Sequence, residues 1–125
     1  MFTHVFVGTN DVPGSKTFYD GVMQALGHGE GTVINDGKAV LYRGDAGAFI
    51  VGNPRNGQPA TAANGGTVGL YAADPAAVDA AYAAGIANGG TDEGAPGPRE
   101  AFPGSYGAYL IDPSGNKLCL WHVAA

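Results

Sequence analysis

The chain repeats itself at an offset of 63 residues, and this duplication limits its fold more than any other feature. Phe2-Thr3-His4-Val5-Phe6-Val7 is a short β-branched and aromatic run with the composition of a strand. Asn10-Asp11 follows as a helix N-cap, with Pro13 tolerated in the first turn. Ser15, Phe18, Tyr19, Val22, Met23 and Leu26 then recur at helical spacing, and Gly27 and Gly29 stop the helix. Such an apolar stripe has to pack on something. In the second copy Thr67-Val68-Gly69-Leu70-Tyr71 is the strand and Asp74-Pro75 the cap, while Val78, Ala81, Tyr82, Gly85 and Ile86 carry the stripe. Asp11 aligns with Asp74, Tyr19 with Tyr82 and Gly27 with Gly90. Cap, stripe and stop recurring together make a duplication.

Three strand-like runs follow each helix. They span about 29–35, 38–43 and 47–52 in the first copy, and about 90–94, 105–111 and 116–123 in the second. Asn35-Asp36-Gly37 is a hairpin turn, and Asp112-Pro113-Ser114-Gly115 joins the last two runs. A longer loop rich in Pro and Gly, Gly94 to Gly104, is expected in the second copy. The segment 53–65 has no periodicity and reads as a polar linker. The expectation is one α+β domain over 1–125, with modules of about 1–52 and 66–125, each βαβββ.

Charge excludes some partners. Eleven acidic residues against six basic ones give a net charge of −5, and the basic residues are scattered. Phosphate backbones and anionic membranes need concentrated positive charge, so neither is an expected partner. No apolar run approaches the roughly 20 residues of a membrane span, and the amino end lacks a secretory pattern. With a single cysteine, Cys119, a reducing cytoplasmic setting is expected.

Side chains alternate faces along a strand, so parity sorts them. One parity collects Val5, Val7, Ile50, Val68, Leu70, Leu118 and Leu120, an aliphatic set for the helices to cover. The other collects His4, Phe6, Phe49, Val51, Thr67, Gly69, Tyr71, Cys119 and Trp121. Pairing across the 112–115 turn adds Tyr106 and Ala108 to this second set. An aromatic face with gaps and no helices over it is expected to hold a ligand, or to bury against a partner subunit.

The arrangement resembles the vicinal oxygen chelate superfamily, which includes glyoxalase I, bleomycin-resistance proteins, fosfomycin-resistance enzymes and extradiol dioxygenases. Thr3-His4-Val5-Phe6-Val7 with Asp11, Phe18-Tyr19-Asp20, and Asp112-Pro113-Ser114-Gly115-Asn116-Lys117 carry the resemblance. Gly57-Gln58-Pro59-Ala60, Asn64-Gly65 and Ala95-Pro96-Gly97-Pro98-Arg99 resemble a glyoxalase-like bacterial subgroup. The resemblance implies a curved mixed sheet around a cleft, with helices on the outer face, and a homodimer. In metal-dependent members the first and last strands of each repeat supply one His or Glu apiece, and those positions here are His4, Val51, Thr67 and Cys119. Only His4 is a usual ligand, whereas Cys119 prefers soft metals and Val51 has no donor. A divalent ion needs three or four donors, so no metal cofactor is expected. His122 has the parity opposite to Cys119 and does not fill the gap unless a bulge turns it.

His4 is the candidate catalytic residue, as a general base or a hydrogen-bond partner for ligand. Cys119 is a nucleophile if His4 lies within reach, and otherwise an inert filler. Thr67 is a hydrogen-bond donor or merely a β-former. Arg99, in the long loop, either clamps a carboxylate or phosphate at the cavity mouth or pairs with Glu93 or Glu100. Arg55 in the linker has the same two readings. Phe6, Phe49, Tyr106 and Trp121 are candidate ligand walls, beside Val51. Tyr19 and Tyr82 are expected in the core and His28 on the surface. The function expected is binding of a small, partly apolar metabolite or xenobiotic, as sequestration or with modest acid–base chemistry. The alternatives are a metal-dependent glyoxalase-like lyase, isomerase or dioxygenase, and a non-enzymatic interaction module.

Overall fold

Each copy of the repeat folds as strand, helix and three strands. The computed structural model describes residues 1–124. The first module holds β1 (His4–Gly8), α1 (Val12–Ala25), β2 (Thr32–Ile34), β3 (Ala39–Gly44) and β4 (Gly47–Gly52). The second holds β5 (Val68–Tyr71), α2 (Pro75–Ala87), β6 (Thr91–Pro98), β7 (Ser105–Ile111) and β8 (Lys117–Val123). The expected α+β tandem is present, as two four-stranded mixed sheets ordered β1-β4-β3-β2 and β5-β8-β7-β6. In each, the first strand runs parallel to the last, and the other pairs are antiparallel. The sheets do not close on each other within one chain, so β1 and β5 are both edge strands. Neither described helix is long and apolar enough to cross a membrane.

The caps repeat as the duplication predicts. Asp11 Oδ1 accepts the Gly14 N–H at 3.1 Å, and Asp74 Oδ1 accepts the Ala77 N–H at 2.8 Å. The stops do not align as expected, because α2 has 13 residues and α1 has 14. The left-handed residues beyond the two helices are Gly27 (φ 95°) and Gly89 (φ 101°), so Gly27 pairs with Gly89 rather than Gly90. Gly90 is needed for a different reason: a Cβ there would lie 2.6 Å from Phe18 Cε1.

The long loop expected from Gly94 is strand as far as Pro98. Prolines are tolerated because β6 is an edge strand and its pairing with β7 slips twice, between Asp92 and Gly97.

One apolar core serves both modules. Phe18, Tyr19, Val22 and Met23 of α1 meet Val78 and Ala81 of α2 and the inward residues of both sheets, among them Val40, Val51, Leu110, Leu118 and Leu120. Polar bonds fasten the modules. The Tyr19 hydroxyl donates to Asp112 Oδ2 at 2.6 Å, Asn116 Nδ2 donates to the Gly8 carbonyl at 2.9 Å, and Thr9 and Ser114 share a hydroxyl pair at 2.7 Å. The connector between modules is also pinned at its start. Asn10 Nδ2 donates to the Ala60 carbonyl at 3.0 Å while Asn10 Oδ1 accepts the Ala60 N–H at 2.7 Å, and Asn53 Nδ2 donates to the Thr9 carbonyl at 3.0 Å.

Candidate functional site

Register decides which side chains share the open face. In the first sheet Val5 lies opposite Phe49, Phe6 opposite Ile50 and Val7 opposite Val51. Val5, Val7, Phe49 and Val51 therefore point to the helices, and His4, Phe6 and Ile50 point away. This corrects the expectation for β4: Phe49 and Val51 are buried core residues, with the Phe49 ring 4.7 Å from that of Tyr19, and Ile50 takes the open side. Fixing the wrong partner for one strand reverses every side chain on it.

The same correction applies to β7. The Gly115 N–H donates to the Asp112 carbonyl at 3.0 Å and the Asp112 N–H to the Asn116 carbonyl at 2.8 Å, so the β7–β8 loop has three residues and Gly115 sits at φ 95°. An odd loop pairs odd positions with odd, and Tyr109 faces Cys119 while Gly107 faces Trp121. Tyr106 and Ala108 lie opposite His122 and Leu120 on the helix side, where the Tyr106 hydroxyl donates to Asp79 at 2.7 Å. No bulge turns His122; its Nδ1 lies 3.1 Å from the Ala72 carbonyl.

The open face of the second sheet thus carries Cys119, Tyr109, Trp121 and Tyr71. The Trp121 ring lies across Gly107, where a Cβ would come within 2.5 Å of it, and Phe102 stacks edge-on against it at 5.8 Å. Arg99 neither pairs with Glu93 or Glu100 nor stands free at a mouth. Its Nη2 donates to the Ala95 and Gly107 carbonyls at 2.6 and 2.9 Å, stitching β6 to β7, with the guanidinium 5.3 Å from the Tyr109 ring centre. Lys117 lies 5.1 Å from the same ring. Burial pushes the Cys119 thiol up, against the opposing pull of the Tyr109 hydroxyl and the charges of Arg99 and Lys117. Cys119 is therefore a protonated thiol at neutral pH, on a different sheet from His4. Thr67 is exposed just before β5.

Two large concave spaces border the first sheet. One, of about 1000 Å³, lies between the start of β1, the end of α1, the β3–β4 hairpin and β5, with Met23, Leu26, Val68 and Tyr71 in its walls. Phe49 and Arg43 also reach it, as does His28, which packs against Gly44. The other, of about 1100 Å³, lies over the open face, with Phe6, Ile34 and Ile50 below and the connector from Asn53 to Pro59 beside them. His4 lines both. It is exposed, and its Nδ1 shares a 2.9 Å hydrogen bond with Thr3 Oγ1.

The positions that would hold the superfamily's metal do not make a donor set. Val51 is in the core, its open-face neighbour Ile50 has no donor atom, and His4 and Cys119 stand on separate sheets. No three His, Cys, Asp or Glu side chains converge among the described residues. This residue set does not fit a divalent ion.

Comparison with known proteins settles the kinship. A glyoxalase/bleomycin resistance protein from Albidiferax ferrireducens T118 superposes with a TM-score of 0.92 at 50% identity, over 99% of each chain. This chain belongs to the glyoxalase/bleomycin resistance protein family, within the vicinal oxygen chelate superfamily. More distant members share the fold alone. A glyoxalase-related enzyme from Fulvimarina pelagi has a TM-score of 0.77 at 16% identity, covering 98% of this chain and 87% of its own. A lactoylglutathione lyase from Agrobacterium tumefaciens has 0.68 at 22%, covering 98% and 92%. No family model and no curated protein matches the chain.

Sequence reasoning missed Ile50, Tyr109, Lys38, Lys117 and the connector as parts of the open side. The three-residue Pro113-Ser114-Gly115 loop was the available signal for Tyr109. For the connector the signal was an asparagine just beyond each of the two paired strands, Asn10 after β1 and Asn53 after β4.

Proposed function

We propose that this family member binds a small, partly apolar metabolite or xenobiotic against the open side of its sheets, without a metal. His4 serves as hydrogen-bond partner or proton acceptor. The observation that carries this reading is the position of His4 as the residue shared by two large concave spaces with apolar floors. The apolar side chains Phe6 and Tyr71, 44% and 73% exposed beside those spaces, add to it. By family likeness the working form is a homodimer, for which light scattering of the purified protein at twice the chain mass is the check. The single thiol fits a cytoplasmic setting.

Metal analysis of untagged protein purified without chelator, combined with a thermal-shift ligand screen, tests the central claim. Ligands that raise the melting temperature of metal-free protein, and lose that effect in His4→Ala, are the expected result. One bound equivalent of a divalent ion, lost in His4→Ala together with a lyase or isomerase activity, overturns the metal-free reading.

A further inference from the structure

We infer that the space over the first sheet selects anionic ligands, and that the connector between the modules is one of its walls. This rests on the proposal that the open side binds small molecules, and it names the chemical class.

Charge placement comes first. The chain carries a net charge of −5, yet among the described residues no Asp or Glu lines this space, while Lys38, Arg55 and His4 do. Among the described residues Lys16 is the one cation held in an ion pair, bonded to Asp20 and Glu30. Lys38 and Arg55 have no carboxylate partner there, so their charges are available to a ligand. Cations lining a concavity with an apolar floor focus a positive potential into it and attract anions.

Shape comes second. Phe6, Ile34 and Ile50 supply an apolar floor. Arg55 approaches from the connector, a segment that would wander if it were a free linker. It is instead held at both ends of its first part: by Asn53 on the Thr9 carbonyl, and by the paired bonds of Asn10 with Ala60. A Cβ on Gly8 would come within 3.0 Å of Ala60 Cβ, so the connector packs directly on the end of β1. The pinned backbone thereby brings Arg55 to the rim, where its guanidinium is able to meet a carboxylate or similar oxyanion in bidentate fashion. A ligand with an apolar body and one anionic group matches this floor and rim.

Two fluorescent probes that differ in charge test this directly. 8-Anilinonaphthalene-1-sulfonate carries the anion, and N-phenyl-1-naphthylamine has the same aromatic skeleton without it. The expected result is tighter binding of the sulfonate by the unaltered protein, a preference that weakens as salt is added. In the double variant Lys38→Gln/Arg55→Gln the sulfonate is expected to bind about tenfold more weakly, the neutral probe staying unchanged. Both side chains are exposed and make no bond among the described residues, and an unchanged near-ultraviolet circular dichroism spectrum and melting temperature show that the variant is folded. Equal affinity for the two probes, or loss of sulfonate binding in Lys117→Gln but not in the double variant, overturns the inference and leaves the binding proposal standing. Failure of both probes to bind removes the binding proposal, and this inference with it.

Discussion

In the first module α1 buries Phe18, Tyr19, Val22 and Met23, whereas in the second α2 buries Val78, Ala81 and Gly85. The two helices descend from one sequence pattern, but bulk sits on one and space on the other. Gly85 shows why: a Cβ there would meet Leu110 Cδ1 at 2.5 Å, Phe18 Cε1 at 3.3 Å and Val22 Cγ2 at 3.4 Å. Two stripes of large residues would not fit at this distance, since interiors are close-packed. The sheets differ in a parallel way. The open face of the first has a pinned connector beside it, while in the second Arg99 is spent on stitching β6 to β7. A duplicated unit has kept its caps and divided its surfaces.

The largest test of this asymmetry is at Asp112, which has a buried role in the second module's hairpin and no counterpart in the first. It is 3% exposed and accepts hydrogen bonds from Tyr19, Asn116 Nδ2 and the Ser114 and Asn116 amides. Asp112→Ala leaves these donors without an acceptor and is expected to lower stability by about 3–5 kcal/mol in urea unfolding. Asp45→Ala, in the exposed hairpin of the first module, is expected to change it by less than about 0.5 kcal/mol. Similar losses from the two would deny that Asp112 joins the modules.

A smaller effect probes the helix contact. Gly85→Ala is expected to cost about 1–3 kcal/mol through overpacking. Leu110→Val removes the methyl nearest the new Cβ, so the double variant should be more stable than the sum of the singles predicts, by at least about 0.5 kcal/mol. Additive losses would place the strain elsewhere.

The smallest effect concerns what the modules still share. Asp11→Ala and Asp74→Ala each remove an exposed N-cap bond, and each is expected to cost about 1 kcal/mol. Thermal or urea unfolding of the pair should show matched losses. A difference beyond about 1 kcal/mol between them would mean that the caps too have diverged in role.

Much of the fold was legible in local signals. The Asp caps, the proline in each first turn, the α1 stripe and the strand runs at 47–52 and 105–111 stand where the sequence puts them. Two local readings shift, the stop of α2 by one residue and the 94–98 run from loop to strand, but the differences that matter for the site lie in non-local pairing. Strand parity puts Phe49, Val51, Tyr106 and Ala108 on the open face, whereas in the fold each faces the helices. A strand's parity says only that neighbours alternate; which half faces the core depends on the partner strand and on the length of the loop between them.

That this is a duplicated α+β chain of two βαβββ units is written in its caps and in the α1 stripe, because these are short-range features of neighbouring residues. The sequence also located His4 on the open side, since β1 alternates plainly. What stands with His4 depends on the folded chain. Register brought Ile50 rather than Val51 beside Phe6, and two asparagines folded a polar connector back on β1, carrying Arg55 to the rim. Both depend on hydrogen bonds between residues about 45–50 positions apart, which no local pattern of charge or hydrophobicity records.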